Sequence, residues 1–175
     1  EGGGEALVFS SGLAAEAMLF MTLAPGDHLV VPRKAYGGTT RLLRTVFAPL
    51  GISYSAIDCN DERQLWGALT PQTKYVFVEG LTNPFVEPVD LSLVGRVAHQ
   101  SGVSLAADMT FCPPCALRAF EYGADVVVHS LSKYLAGHND VLGGALITRN
   151  SSLAERLRLL QRSVGAILSP DECYR

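Results

Sequence analysis

A lysine and two serines directly follow an apolar run in the second half of the chain. The run extends from Ala124 to Ser130 and leads into Leu131-Ser132-Lys133. Its β-branched residues predict a strand buried inside a sheet. Because α/β sheets bind ligands outside the carboxyl ends of their strands, the sequence predicts one amine and two hydroxyls at a ligand-binding edge.

Further polar residues end, or closely follow, other predicted strands. Glu79 and Asp108 each end an apolar run, and Asn83 lies four positions after Glu79. Tyr36 begins a Tyr-Gly-Gly-Thr turn. Parallel strands place their carboxyl ends along one edge, so these side chains and Lys133 are predicted to form one constellation. The alternative for each residue taken singly is an ordinary cap of a strand or a helix.

This set of groups could perform the chemistry of pyridoxal phosphate (PLP). A carboxylate such as Asp108 beside a pyridine nitrogen keeps that nitrogen protonated, and the protonated ring is the electron sink in PLP catalysis. A neutral amine at Lys133 could form a Schiff base, and Tyr36 could stack on a flat cofactor. The open alternatives are a turn cap or magnesium ligand for Asp108, a solvated position for Lys133 and a half-buried turn residue for Tyr36.

Ser10-Ser11-Gly12 precedes a predicted helix and adds a candidate phosphate site. Free backbone N–H groups at a helix N-terminus bind anions, and a glycine lets the anion approach closely. Ser130 and Ser132 could supply hydroxyls to the same phosphate. An ordinary serine N-cap is the alternative for this motif.

The elements that must position these residues alternate between helix and strand. Helices are predicted over residues 13–23, 39–50, 62–69, 91–101, 117–122 and 151–164, and strands over 27–31, 52–57, 74–79, 103–108, 126–130 and 143–148. This alternation predicts an α/β fold, a three-layer α/β/α sandwich with a mostly parallel sheet. No internal repeat or linker is recognisable, so residues 1–175 are predicted to form one domain.

Strand alternation turns His129 away from Ser130, and none of the four histidines is a candidate catalyst.

The composition disfavours several classes of protein. The chain has 175 residues, of which 48% are hydrophobic and 18% charged, as is typical of a globular domain. Its net charge of −3 gives no support for nucleic-acid binding. No apolar run reaches the ~20 residues of a membrane span, because Glu16 interrupts the longest one, and no signal peptide is recognisable. We therefore expect a cytoplasmic protein with neither nucleic-acid nor membrane partners.

The four cysteines, Cys59, Cys112, Cys115 and Cys173, are expected to be reduced thiols. Cys112-Pro-Pro-Cys115 has the spacing of redox and zinc sites. No second C-x-x-C and no paired histidines accompany it, so neither a zinc site nor another metal site is expected. A redox role for Cys112 and Cys115 stays open.

Five motifs occur in order along the chain: Ser10 to Ala15 (SSGLAA), Tyr36 to Thr39 (YGGT), Glu79 to Pro84 (EGLTNP), Asp108 to Phe111 (DMTF) and Gly123 to Lys133 (GADVVVHSLSK). Together they resemble the Cys/Met-metabolism family of PLP enzymes. That family includes cystathionine γ-synthase, cystathionine β- and γ-lyases, methionine γ-lyase and homoserine sulfhydrylases. The resemblance implies that residues 1–175 are the PLP-binding large domain of a fold-type I enzyme. The N-terminal arm and C-terminal small domain of the family would lie outside this chain, so the isolated piece is expected to turn over poorly.

The resemblance assigns the catalytic roles to three residues. Lys133 would hold the cofactor covalently and move protons, and Asp108 would pair with the pyridine nitrogen. Tyr36 would stack on the ring and assist the leaving group. Asn83 would complete the ring site by binding the phenolic oxygen of the cofactor.

The remaining implied roles concern the phosphate and its support. Thr110 would support Asp108 or the face of the ring, and Glu79 would brace the end of its strand. The phosphate would be held by Ser11, Gly12, Leu13, Ser130 and Ser132. Gly80-Leu81 departs from the family pattern and is expected to loosen the loop that holds Asn83. Met109 and Cys112-Pro113-Pro114 depart from it close to the face of the cofactor, so the choice of substrate is expected to be unusual.

The expected activity is γ-replacement on an O-activated homoserine, as in cystathionine γ-synthase, because Gly137 to Leu142 (GHNDVL) resembles the plant-type form of a loop in that enzyme. The resemblance also implies an amino-acid substrate and a homotetramer of two dimers. The alternative within the family is a cystathionine β- or γ-lyase or a methionine γ-lyase. Two further alternatives lie outside these activities. A catalytically silent family member is disfavoured because Lys133 and Asp108 are both retained. A nucleotide-binding module is disfavoured because the G-x-G-x-x-G motif is missing.

Overall fold

The computed structural model describes residues 1–174, in which seven strands and six helices are found. The strands are β1 (Glu5–Phe9), β2 (His28–Pro32), β3 (Ser53–Ile57), β4 (Thr73–Glu79), β5 (Ser104–Asp108), β6 (Val126–Ser130) and β7 (Gly144–Thr148). The helices are α1 (Gly12–Phe20), α2 (Gly37–Leu42), α3 (Glu62–Ala68), α4 (Leu91–Gln100), α5 (Ser151–Val164) and α6 (Pro170–Tyr174). No helix among these residues is both long and apolar enough to cross a membrane.

The strands form one sheet in the order β1-β7-β6-β5-β4-β2-β3. Neighbours from β3 through β2, β4 and β5 to β6 are parallel, whereas β7 is antiparallel to both β6 and β1. The prediction of a mostly parallel sheet is confirmed. The strict alternation fails at β7 because residues 131–143 contain no full helix to carry the chain across the sheet, and the strand returns beside β6 in the opposite direction. Strand β1 has no counterpart among the predicted elements.

Apolar side chains cover both faces of the sheet and bury each face against helices. On β4, Tyr75 and Phe77 join the core that packs on α1 and α5, while Val76 and Val78 join the core that packs on α3 and α4. This alternation follows from the two-residue period of a strand. Phe20 of α1 packs edge-on against Phe77, with 5.4 Å between ring centroids. The α/β/α sandwich predicted from the sequence is therefore confirmed.

Polar side chains fix where four of the helices begin. In each case a side-chain oxygen accepts a hydrogen bond from a backbone N–H of the first turn. The distance is 3.0 Å at Ser11, Asp90 and Asn150, and 2.9 Å at Asp61. Asp61 is the N-cap of α3, as the sequence predicts.

Two predicted helices are less regular than their sequence pattern indicates. Residues 39–50 are divided among α2, a π-helical turn over Leu43–Phe47 and a 3₁₀ turn over Ala48–Leu50. Pro49 has no N–H to donate, which interrupts the helical hydrogen bonding near the end of this segment. The helix predicted over 117–122 is a 3₁₀ turn over Ala119–Tyr122.

Candidate active site

A pocket of about 300 Å³ lies at the carboxyl ends of the parallel strands, beside the start of α1. All the site residues singled out from the sequence line it: Ser11, Gly12, Leu13, Tyr36, Glu79, Asn83, Asp108, Thr110, Ser130, Ser132 and Lys133. It is also lined by Glu16, Leu81, Phe111 and Leu142. The structure thus brings the predicted constellation together, while the role of each residue stays a prediction.

The start of α1 offers backbone donors to this pocket. Ser11 is extended, with φ −165°, and its Oγ accepts a hydrogen bond from Ala14 N at 3.0 Å. The first N–H groups of a helix have no acceptor within the helix, so this cap leaves those of Gly12 and Leu13 available at the pocket. Free N–H groups and the positive end of the helix dipole together favour an anion here.

Gly144 lets the backbone before α1 approach β7 closely. A Cβ at this position would lie 2.1 Å from Ser11 O and 2.5 Å from Ser11 C. A Cβ at Gly12 would similarly lie 2.9 Å from Ser130 Cβ. The start of α1 therefore packs closely against the last residue of β6 and the first residue of β7. This packing fixes the position of its free N–H groups.

Gly144→Ala is expected to lower the free energy of unfolding of the full-length protein by about 2–3 kcal/mol, because the contact with Ser11 can be relieved only by moving backbone. Gly67→Ala is the matched control, since a Cβ at Gly67 meets nothing within 4 Å inside α3. That change is expected to be neutral or slightly stabilising. Urea unfolding measures both effects, and equal midpoints for the two variants would contradict the close approach.

A short hydrogen-bonded chain fixes Asp108 at the end of β5. Asp108 Oδ1 accepts from Thr110 N at 2.8 Å, and Thr110 Oγ1 accepts from Ser130 N at 2.8 Å. Burial raises the pKa of Asp108, while the hydrogen bonds from Thr110 and the nearby His129 oppose the rise. Thr110 therefore connects Asp108 to the end of β6 and supplies the bonds that favour its ionised form.

Glu79 ends β4 and connects two loops at the pocket. Its Oε1 accepts from Tyr36 N at 2.5 Å, and its Oε2 accepts from Asn83 N at 3.2 Å. The residue is only 4% exposed. Burial, with a smaller contribution from the charge of Asp108, raises the pKa of Glu79 to about 7. The carboxyl group of Glu79 thus holds the backbones of Tyr36 and Asn83, although its burial disfavours its ionised form.

This raised pKa predicts a pH dependence of stability. Because the folded-state pKa of Glu79 lies above the ordinary value of 4.5, its contribution to stability falls as pH rises from 4.5 to about 7. Relative to Glu79→Gln, the free energy of unfolding of the wild-type protein is expected to fall by about 3 kcal/mol across this range. Urea unfolding of the cofactor-free full-length protein at several pH values measures this difference in free energy. The exposed Glu155→Gln variant is the control. A difference between wild type and Glu79→Gln that does not change with pH would contradict the burial of this acid.

Lys133 lies in the turn that follows β6. Its φ of −103° and ψ of −125° are not helical and divide the turn Leu131–Leu135 in two. Leu131 N donates to Gly143 O at 2.9 Å, and Gly143 N donates to Ser132 Oγ at 3.0 Å. The turn is therefore held against the start of β7 just before Lys133. Among the described residues that line the pocket, Lys133 is the one with a side-chain amine.

Aromatic and apolar side chains form the rest of the wall. Tyr36 is 41% exposed and precedes α2, which begins inside the predicted Tyr-Gly-Gly-Thr turn. Phe111 packs edge-on against Tyr134, with 6.0 Å between ring centroids. Leu81 and Leu142 also line the pocket. A lining that combines polar groups with flat and apolar side chains suits a planar ligand that carries an anionic group.

Comparison with known proteins supports the interpretation of this site. The profile of the family described as Cys/Met metabolism PLP-dependent enzyme matches residues 1–175. The chain belongs to this family. Membership in the Cys/Met metabolism PLP-dependent enzymes therefore agrees with the motifs and with the α/β fold.

Individual relatives within the Cys/Met metabolism family are similar over the whole chain. A probable cystathionine gamma-synthase of Herpetosiphon aurantiacus is 40% identical over 169 residues, which are 97% of this chain and 53% of the relative. The crystal structure of metB from Corynebacterium glutamicum superposes with a TM-score of 0.96 at 37% identity, covering 99% of this chain and 46% of the other. The cystathionine gamma-lyase of Lactobacillus plantarum complexed with L-serine gives 0.94 at 36% identity, covering 97% and 45%. The chain spans about half the length of the relatives it matches.

The donor set of the pocket fits the cofactor of the Cys/Met metabolism family. The start of α1 has N–H groups available for a phosphate, because Ser11 caps only Ala14 N among the first-turn donors. Asp108 has the hydrogen bonds from Thr110 that an ionised carboxylate needs if it is to face a pyridine nitrogen. Lys133 supplies the amine. Each part of the cofactor thus has a group of matching chemistry.

Sequence reasoning missed Glu16, which lines the pocket although the sequence marks it only as a break in an apolar run. The signal was available, because a carboxylate four positions after Gly12 lies on the same face of α1 as that glycine. His129 is near Asp108 but does not line the pocket, and its Nε2 lies 2.8 Å from Glu1 Oε1. The four cysteines are free thiols, and Cys112 is half-buried whereas Cys115 is exposed.

Proposed function

We propose that the full-length protein is a PLP-dependent enzyme of sulfur amino-acid metabolism that catalyses γ-replacement on an O-activated homoserine. The observation that carries the proposal is the presence in one pocket of Lys133, Asp108 and the start of α1. An amine, a carboxylate and an anion site at the carboxyl edge of an α/β sheet are the groups that PLP chemistry requires. The GHNDVL loop over residues 137–142 resembles that of plant-type cystathionine γ-synthase, and this resemblance favours replacement over elimination.

The proposed cofactor would be held at both ends by this chain. Backbone N–H groups of Gly12 and Leu13, with the hydroxyls of the Ser11, Ser130 and Ser132 group, would bind its phosphate. Asp108 would face the ring nitrogen, and Asn83 would bind the phenolic oxygen. When bound, the cofactor supplies an electron sink for the pair of electrons left on the substrate when a C–H bond breaks.

The residues of the chain would then move the protons of the reaction. Lys133 Nζ, once free of its covalent linkage, would take the α-proton of the substrate and then serve at the β-carbon. The turn held by Gly143 fixes the backbone from which Lys133 extends. Tyr36, whose backbone is held by Glu79, would stack on the ring and donate a proton to the leaving group. Positioning of this kind removes the entropy cost of bringing the groups together.

The test is a product assay on the full-length protein loaded with PLP. With an O-acylhomoserine and cysteine together, the expected product is cystathionine, with release of the carboxylic acid. Without cysteine, the same substrate is expected to give a 2-oxo acid and ammonia more slowly. If turnover without cysteine is the faster reaction, γ-replacement is the wrong assignment. If PLP does not bind at all, the whole proposal is wrong.

A C–S lyase is the second candidate, since one of the structural relatives is a cystathionine gamma-lyase at 36% identity. A lyase would convert cystathionine alone into a thiol amino acid, a 2-oxo acid and ammonia. Offering cystathionine to the PLP-loaded protein distinguishes the two activities. Release of a thiol faster than the synthesis of cystathionine would assign the lyase.

We also propose that residues 1–175 form the cofactor-binding domain of a longer subunit that assembles as a homotetramer and works in the cytoplasm. The proposal is supported by the relatives, which are about twice as long as the matched segment. Substrate binding would then also depend on the arm and the small domain of the family. Light scattering of the full-length protein tests the assembly, and a monomer would contradict it.

A further inference from the structure

Glu16 is a buried acid that the proposed reaction does not use. It lies in α1, four positions after Gly12, and lines the same pocket. Its exposure is 3%, and its Oε2 has no hydrogen-bond partner among the residues that the structure describes. A buried carboxyl oxygen without a partner costs free energy unless the group is neutral or an incoming ligand bonds to it.

The surroundings of Glu16 disfavour a negative charge. Burial is the largest cause of the raised pKa of Glu16, and the charges of Asp108 and Glu79 raise it further. The buried Thr39 hydroxyl lies close enough to oppose this rise but also has no aligned hydrogen-bond partner. The titratable groups that line the pocket together with Glu16 are Tyr36, Glu79, Asp108 and Lys133.

Hydrogen bonds distinguish Glu16 from Asp108. Asp108 Oδ1 accepts from Thr110 N at 2.8 Å, and the nearby His129 also favours its charge. Glu16 Oε2 has no such donor. When two acids interact strongly, the acid that accepts hydrogen bonds from nearby donors ionises first, and the other acid keeps its proton. If Glu16 and Asp108 share one proton, that proton therefore lies on Glu16.

We propose that Glu16 is a positioning residue that works as a neutral carboxylic acid, limiting the Glu16–Asp108 pair to one negative charge and donating a hydrogen bond to the occupant of the pocket. The inference rests on the proposed function, because that occupant is the PLP assigned above. A second ionised carboxylate in the pocket would favour the ammonium form of an amine there, and an ammonium group cannot attack or take a proton. The neutral acid leaves Asp108 alone to face the ring nitrogen.

Infrared spectroscopy of the cofactor-free full-length protein at neutral pH tests the protonation state directly. The Glu79→Gln variant serves as the parent protein, because Glu79 has a pKa of about 7 and would contribute a band of its own. This parent is expected to show the C=O stretching band of a protonated carboxylic acid. Adding Glu16→Gln is expected to remove that band, and adding the exposed Glu155→Gln is expected to leave it. If the band persists after Glu16→Gln is added, or if the parent has no such band, the neutral-acid assignment is wrong.

Titration of PLP into the cofactor-free full-length protein tests the donated hydrogen bond. Glu16→Leu keeps the volume and removes the donor, so its dissociation constant is expected to rise about fivefold to tenfold. Glu16→Gln keeps an N–H donor and is expected to bind PLP more tightly than Glu16→Leu does. Equal affinities for wild type and Glu16→Leu would overturn the donor role.

The two measurements separate failure of this inference from failure of the proposed function. Absence of PLP binding by the wild-type protein would refute the proposed function and with it the donated hydrogen bond. The infrared band would still decide whether Glu16 holds the proton of the pair. Binding of PLP to Lys133 without an infrared effect of Glu16→Gln would refute the inference and leave the proposed function standing.

Discussion

Lys133→Ala in the full-length protein is expected to abolish covalent attachment of the cofactor and to lower kcat by about 10³–10⁴-fold. Lys133 supplies the side-chain amine among the described residues that line the pocket, so the proposed nucleophile and the proposed proton carrier would be lost together. Borohydride reduction of the PLP-loaded protein, followed by peptide mass mapping, measures the attachment. Steady-state assays with an O-acylhomoserine and cysteine measure kcat.

Lys74→Ala is the matched control for that substitution. Lys74 is an exposed residue near the opposite end of β4, where its Nζ lies 3.8 Å from Asp27 Oδ1. This variant is expected to carry the label at Lys133 and to keep its activity. A label at any other lysine of the wild-type protein would disprove the assignment of Lys133.

Asp108→Asn is expected to lower kcat by about 10²–10³-fold, because a neutral amide does not stabilise a proton on the ring nitrogen. The amide oxygen can still accept the hydrogen bond from Thr110 N, so the loss of stability is expected to stay within about 1 kcal/mol. Measuring kcat and urea unfolding on the same preparation separates the two effects. The largest change should therefore be in turnover.

Asp125→Asn provides the corresponding carboxylate-to-amide control. Asp125 Oδ2 accepts from Leu105 N at 2.8 Å and lies outside the pocket lining. This substitution is expected to change stability by about 1 kcal/mol and kcat by less than about twofold. If Asp108→Asn reduced activity no more than Asp125→Asn, the proposed contact with the ring nitrogen would be wrong.

The candidate site could be predicted because parallel strands impose one edge on their carboxyl ends. Glu79, Asp108 and Ser130 end three neighbouring strands of the sheet, and all three line the pocket. The Ser-Gly pair at residues 11 and 12 could be placed beside them because a capped helix start is recognisable from residue type alone. Strand position and helix capping are local properties, so one sequence suffices for them.

Features that depend on contacts between distant segments could not be predicted in this way. Strand β1 pairs with β7, which lies far away along the chain, so its place in the sheet depends on a distant segment. The need for glycine at position 144 arises from the backbone of Ser11. Glu16 resembles an ordinary interruption of an apolar helix until α1 is placed at the pocket that Glu79 and Asp108 also line. Each of these required knowledge of which segments meet in space.

The sheet order has a consequence for how the protein is made. Of the seven described strands, β1 leaves the ribosome first and its pairing partner β7 leaves last. Strands β2 to β6 can pair with one another before then, whereas the Ser11–Gly12 segment cannot settle until Gly144 arrives. The candidate cofactor site therefore stays incomplete until β7 has been synthesised, and a nascent chain that stalls before residue 144 would present an unfinished binding pocket to the cell.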